Sequence, residues 1–531
     1  MFRYFLLPLI LIIPALVQAQ APSSTSSSRL EILFAERLSF TEKSEVPVQK
    51  LIGNVQIKQD STFFYCDSAY SYVDTSLLEA FGNVRIVMQD GVTLNGDKLY
   101  YDGNTRIAEV FDNIVLDDGE VKLYTDKLIY YRNEAYGVYQ EGGVLENADN
   151  TLTSETGYYY SQRDMAYFNN QVSLVNPDYT LTTDTLGYNT ATKVAVFLSP
   201  TEIANEDGTL LTEKGNYATE EKNIELFSRS TVLDSSYTLT ADTLYYNDST
   251  RLGHAYGSVL IEETDSSLQI WGDKGFFNRA TDETIITERA IAVQFMDSDT
   301  MYMTADTLYA KQDSVEGRKI RAYYKVSVYM NDMQGKADSL EYFYNDSMIV
   351  LHDDPIIWSD VNQVTGDTIK IMLKNNQADS MWVGPSGFLV SQEDTLGFNQ
   401  IKGKEMRAKF RDNSLVRLHV IGNSESIYFG KDEEDNYQGM NTALSQEMII
   451  YLTENEVSKI AFLAKPDGKF IPIHEILFKE NKLEGMRWRI DEKTGKPVLE
   501  NFHDELIERL TPVISIAPPG TTLPDGIPLK K

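Results

Sequence analysis

The sequence predicts an all-β chain, elongated and built from repeated antiparallel units of about 29 residues. Three observations carry that prediction. The 531 residues include 32 Tyr and 23 Phe, side chains that favour pleated, half-buried surfaces. A segment of the form Asp-x-Leu-x-Tyr, usually preceded by Thr, Ala or Gly, recurs throughout, as in Gly96–Tyr101, Thr183–Tyr188 and Ala241–Tyr246. A second segment keeps the same beat: Gly-Asn-Val at Gly53 and Gly82, Asp-Asn-Ile at Asp112, Asn-Gln-Val at Asn170, Gly-Ser-Val at Gly257 and Tyr-Lys-Val at Tyr324.

From the N-terminus, Met1-Phe2-Arg3 and an apolar run from Tyr4 to Val17, closing on Val17-Gln18-Ala19, read as a signal peptide (residues 1–19) cleaved after Ala19. The run is interrupted by Pro8 and Pro14 and falls short of the ~20 residues a membrane span needs. Residues 20–47 read as a flexible leader and entry, Ser-rich from Ser23 to Ser28. Export places the mature chain outside the cytoplasm. Cys66 is the one thiol, so no internal disulfide can form and stability must come from burial and backbone pairing.

Residues 48–430 hold the repeat. Its aligned acids are Asp67, Asp97, Asp126, Glu155, Asp184, Glu213, Asp242, Asp273, Asp306, Asp338 and Asp367, spaced 29 to 33 residues apart. Strand alternation puts Asp97, Leu99 and Tyr101 on one face and Lys98 and Tyr100 on the other. In the second segment Val84 with Ile86, Ile114 with Leu116, Val172 with Leu174, Val259 with Ile261 and Val326 with Val328 share a face. A unit this small cannot bury its greasy face alone, so neighbours must stack over a shared interior. Asp102-Gly103-Asn104, Asp117-Asp118-Gly119 and Asp207-Gly208 read as tight turns with positive-φ positions. After residue 400 the beat decays, with Lys404 at the acid's position and an acidic loop from Lys431 to Asp435. Residues 431–510 then read as a C-terminal β cap and 511–531 as a Pro-rich tail.

The formal net charge, 48 − 79 = −31, would repel phosphodiester backbones, which excludes nucleic acid as a partner. The five histidines sit in unrelated contexts, and no nucleophile elbow, P-loop or dinucleotide fingerprint is present. The chain therefore reads as a non-enzyme without metal or cofactor. The acid ladder places one carboxylate per unit, whereas an active site needs several groups converging on one point. Its reading is a turn cap that satisfies backbone donors, with a cation-bridged ladder as the alternative. The apolar stripes fit either a dry core or an open hydrophobic groove.

The strand Gly82–Ile86 followed by Gly96–Tyr101, recurring in degenerate form over residues 48 to 420, resembles the OstA-like family of lipopolysaccharide-transport proteins. The resemblance implies an antiparallel β-jellyroll bent like a taco or solenoid, holding the acyl chains of lipopolysaccharide during outer-membrane assembly. It implies a place in the periplasm, in association with the outer membrane or bridging to it, and other envelope transport proteins as partners. Matching positions put Leu99, Tyr101, Ile114, Leu116, Leu128, Val172, Leu174, Leu186, Leu244, Tyr246, Val259 and Ile261 on the wall of the lipid groove. The chain departs from the family in being longer than its compact bridging members and in lacking a C-terminal run of barrel strands.

Each acyl CH₂ left in water costs about 0.8 kcal/mol, so a chain of about 12 carbons costs roughly 10 kcal/mol and needs a continuous apolar track. The acidic body is expected to keep the phosphorylated head group in water. Open strand edges at the ends of the stack are expected to pair with partners or with a second copy, end to end. The competing reading is a secreted structural or carbohydrate-binding β-solenoid with no lipid groove.

Overall fold

The computed structural model describes residues 29–493, apart from 44–45, 73, 90, 161, 265–267, 297–298, 314–316, 332, 376, 394–396, 412–413, 433, 435, 454–455 and 477–480. The signal peptide, residues 20–28 of the leader, residues 494–510 and the Pro-rich tail lie outside the described residues. The fold is all-β and antiparallel. Among the described residues the helical elements are two short 3-10 turns, Ile473–Glu475 and Ile490–Glu492. The chain divides into two compact units, one ending at Pro177 and one beginning at Asp178.

Both units are built from one device, a strand creased at its middle. In the first unit Thr93–Asp102 pairs with Leu77–Val87 on one side and Ile107–Asp117 on the other. Each ladder slips register at the same level, between Phe81 and Val84 on one side and between Phe111 and Val115 on the other, opposite Asp97. The slip is a two-residue bulge: Gly82 and Asn83 have φ of 74° and 44°, and Asp112 and Asn113 have φ of 63° and 51°. Left-handed backbone is accessible to Gly, Asn and Asp at least cost, which is why the second motif opens with those residues. The second unit repeats the bulge at Gly257/Ser258, Glu288/Arg289 and Tyr324/Lys325. A repeat is therefore one creased hairpin, and the crease divides every strand into two arms.

The crease also resets side-chain parity. Leu94 and Gly96 are buried before it, Leu99 and Tyr101 after it, while Asp97 between them is exposed. The expectation that Asp97 shares a face with Leu99 is corrected: simple alternation does not survive a bulge. Lys122–Tyr131 and Thr180–Asn189 show the same order, with Leu123, Thr125 and Leu128, and Leu181, Thr183 and Leu186, buried around exposed Asp126 and Asp184. The turn reading is corrected in part as well. Gly119 and Gly208 are left-handed, but Gly103 is not, and the positive φ of its loop falls on Arg106.

Sequence alignment of the acids missed the first crease, at Glu36, whose amide bonds Gly53 O at 3.1 Å and whose carboxylate accepts Asn54 Nδ2 at 2.6 Å. Near the other end, Lys404 and Gln446 stand at the acid's position, with amides on Gly422 O at 2.9 Å and Ala464 O at 3.1 Å. The backbone crease thus continues through residues whose side chains have left the pattern.

Candidate functional site: the interior between the two arms

The creases turn the inner faces of the two arms of each unit toward one another. In the first unit, Phe64 on the first arm meets Tyr101 on the second with ring centroids 5.0 Å apart, although neither is a ladder neighbour of the other. Around them Val55, Ile57, Ile86, Leu94, Ile114 and Leu123 from the first arm pack with Leu51, Leu78, Leu99, Val110 and Leu128 from the second. Of the residues expected on the wall, the structure brings Leu99, Tyr101, Ile114 and Leu128 into this one cluster, with half-buried Leu116 against it. Val172 is buried and Leu174 half-buried on one inner strand of the same unit. In the second unit Leu186, Leu244, Val259 and Ile261 are buried and Tyr246 is half-buried. The inner row of that unit runs in cross-strand register from Leu239 through Ile261, Ile270, Ala292 and Met303 to Val328, apolar at every step.

The residue before each corner acid is small for a steric reason. A Cβ on Gly96 would lie 2.6 Å from Val110 Cγ1, on Gly272 2.4 Å from Ile286 Cγ2, and on Gly366 2.6 Å from Val383 Cγ1. Where Thr stands instead, its hydroxyl satisfies a carbonyl freed by the crease, as Thr125 Oγ1 does on Gly142 O at 2.7 Å. The corner acids are likewise structural. Asp67 accepts Asn83 Nδ2 at 2.8 Å, Asp97 accepts Asn113 Nδ2 at 2.6 Å, and Glu155 accepts Gln171 Nε2 at 2.9 Å. In the second unit Arg289 clamps Asp273 with two bonds of 2.7 Å. Each of these four acids ties down the second residue of its own bulge through that residue's side chain, not through the backbone donors expected of a cap, and Asp242 instead accepts Arg229 Nη1 at 2.7 Å.

Sequence reasoning missed the rims. Gln59 has the inward parity of Val55 and Ile57, is buried, and meets the Tyr101 hydroxyl from the opposite arm. Its amide also donates to Gly103 O at 3.2 Å. Beside it Asp60 pairs with Arg106 at 3.0 Å and Arg132 at 3.8 Å, and Arg132 Nη1 donates to the Tyr101 oxygen at 2.9 Å. Burial pushes the Tyr101 phenol up, against the pull of Arg132, so it stays neutral at pH 7. In the second unit Asp234 pairs with Arg279 at 2.6 Å, Glu263 holds Arg318 bidentately, and Tyr344 Oη donates to Gln294 Oε1 at 3.3 Å. All join turns of the first arm to turns of the second. The available signal was a second beat: basic residues recur in the second-arm turns, at Arg106, Arg132, Arg163, Lys193, Lys222, Arg251 and Arg279, interleaved there with Glu134, Asp164, Glu220, Glu221, Asp248 and Asp282, while the first-arm turns carry acids at Asp118, Asp149, Asp178 and Asp207.

Nothing in this interior suggests acid–base chemistry. Burial lifts the Cys66 thiol to about 12, which leaves it an unreactive packing residue. Among the described residues no three His, Cys, Asp or Glu side chains converge to hold a metal. A hollow of about 360 Å³ lies away from the wall residues, lined by Ser424, Leu444 and Ser445 among others.

Residues 27–184 and 178–242 match the family described as OstA-like protein, and residues 269–377 match the LptA/(LptD N-terminal domain) LPS transport protein family. Residues 27–242 belong to the OstA-like family. The matched stretches of this OstA-like chain are made of creased hairpins. No curated protein matches it. Among solved structures, LptH, described as the LptA homologous periplasmic component of the lipopolysaccharide transport device of Pseudomonas aeruginosa, aligns at 13% identity over 28% of this chain and 81% of its own, with a TM-score of 0.14. The WD40 domain of SCAP from fission yeast aligns at 8% identity over 84% and 90% of the two chains, with a TM-score of 0.11. Scores this low carry no argument about the OstA-like chain.

Proposed function

We propose that this chain is a periplasmic lipopolysaccharide carrier that takes acyl chains between its two arms and leaves the sugar head group at the rims. The observation that supports the reading best is the inner row of apolar side chains, unbroken from strand to strand, faced across the interior by a second apolar arm. It gives the near-equivalent neighbouring sites that movement along a track requires. The match of residues 269–377 to a family described as LPS transport proteins supports lipopolysaccharide as the ligand class.

In the closed state the wall side chains fill the space themselves, with Leu99 and Val259 at 0% exposure. Loading must therefore part the arms. The rim ion pairs that resist this are partly exposed, and such pairs are worth about 0–1 kcal/mol each. Burying one acyl chain of about 12 carbons returns roughly 10 kcal/mol. The parted walls also lose their contacts with one another, so opening by the ligand requires that the acyl chain cover them again.

Photo-crosslinkers at the inner positions Leu174 and Leu186, against their outward neighbours Ser173 and Thr185, test the reading with purified lipopolysaccharide. Adducts at the inner pair alone are expected. Their absence from every inner position would overturn it and leave a structural or carbohydrate-binding stack.

A further inference from the structure

The outer face of the first arm in the second unit changes character along its length. Thr182, Glu202, Leu211, Thr231 and Thr240 form one outer row, and across the next strand that row becomes Leu260, Trp271 and Ile291. Leu260, Trp271, Ile291, Val293 and Tyr329 form a cluster of their own with Tyr302, at 6% exposure or less for the first five. An outward sheet face washed by water does not hide a tryptophan to 2%.

Further along the same face a cover is visible. The outer row continues in register from Tyr329 through Gln334, Trp358, Gln363 and Val390 to Gln400 and Ile427. Over it runs the segment after Ile473. Ile427, Phe429, Met440 and Ile476 form a cluster on this face, with Ile473 and Leu483 packed against it. Gln400 grips the segment's backbone twice, donating to Asn481 O at 2.9 Å and accepting Leu483 N at 2.8 Å. Gln363 repeats the grip, donating to Arg487 O and accepting Arg489 N, both at 2.7 Å. The two grips are six residues apart along the segment and two strands apart on the sheet.

We propose that residues 494–531 continue this strap across the outer face, with Gln334 as the third grip and the Trp271 cluster beneath the remainder. Gln334 lies two strands beyond Gln363, so the six-residue step brings residues 493 and 495 to it. Its Oε1 is buried without a partner among the described residues, and so is Trp271 Nε1. Buried polar atoms of this kind want a backbone donor and a backbone acceptor. The direction is already set, since the Glu492 carboxyl, held low mainly by Arg489, also feels Lys336 on the strand of Gln334. Five strand steps, at ~4.8 Å each, separate Gln334 from the strand of Leu260 at the far side of the cluster. The remaining residues can span that distance in any conformation, and Val498, Leu499, Phe502, Leu506, Ile507 and Leu510 supply apolar cover.

A photoreactive phenylalanine in place of half-buried Tyr302, in the full-length chain, tests the strap. Irradiation and peptide mapping should give an intramolecular link to residues 494–531, reduced at least twofold by Gln334→Ala. Links confined to a second copy, to lipid, or to no peptide at all would overturn the proposal. A chain stopped after Lys493 should keep its far-ultraviolet β signal and bind severalfold more of a hydrophobic dye. Unchanged dye binding with the β signal intact would count equally against it. Neither readout depends on the interior accepting lipid.

Discussion

At the scale of single residues, the repeat is a record of one backbone event. The acid, the small residue before it and the Gly/Asn/Asp pair on the neighbouring strand all serve the crease: the pair supplies left-handed φ, the acid holds the pair, and the small residue makes room. Gly96 is the sharpest case. Its Cβ position is occupied by a β-branched side chain held on both flanks, so Gly96→Val should destabilise the first unit by about 1–3 kcal/mol through overpacking. The denaturation midpoint should fall with the slope unchanged. A variant as stable as the parent would show that the crease is looser than the packing indicates. The motif and its period were legible in the sequence because this event uses specific side chains. The parity switch at Asp97 was not, because alternation assumes an unbroken pleat, and Glu36 escaped because Glu replaces Asp and Phe40 replaces Tyr in its copy.

At the scale of elements, what matters is how two arms are held together. Inner residues were legible as greasy stripes, and most of those named are buried. The contacts that join the two rims were not, because strand ends distant in sequence meet only after folding: Gln59 reaches Gly103 and Asp234 reaches Arg279. These contacts should behave as a weak lock. Arg318→Glu sets two carboxylates against each other at one station and should raise the rate of amide exchange in the flanking turns by up to about fivefold, the worth of 1 kcal/mol. The exchanged pair, Arg318→Glu with Glu263→Arg, should restore it. No change in the single variant would remove the rim from the opening step. The Asp234 pair adds a pH signature. Burial works to raise that carboxyl, but hydrogen bonds from Ser236 and the charge of Arg279 outweigh it, and the net shift is downward. A depressed folded pKa means stabilisation that is complete above the unfolded value of about 3.9 and lost as pH falls through the folded one. Asp234→Asn should therefore lower the melting temperature more at pH 7 than at pH 3. An equal difference at both would assign the contact no electrostatic role.

At the scale of the whole molecule, each of the two units carries an edge strand with exposed apolar side chains. Arg37–Lys43 pairs on one side with Val46–Gln59, and on this terminal strand Phe40 is 75% exposed and Leu38 48%. In the second unit Asp467–Pro472 carries Phe470 at 54% exposure. Open strand edges with exposed apolar side chains recruit further strands, which makes these the surfaces on which a second copy or another envelope transport protein would extend the ladder. Opposing this is the net charge of −31, since like-charged bodies repel over a Debye length that falls from about 30 Å at 0.01 M salt to about 8 Å at 0.15 M. Two consequences can be read together by analytical ultracentrifugation. Self-association should rise with protein concentration, and at fixed concentration it should strengthen as salt screens the repulsion, the reverse of an assembly held by ion pairs. Phe40→Lys, which places a charge on the exposed edge, should abolish the effect while leaving the melting temperature within a degree or two. A single sedimenting species at all concentrations and salts would mean that the edges are blunted in solution and that hand-over between proteins does not proceed by ladder extension.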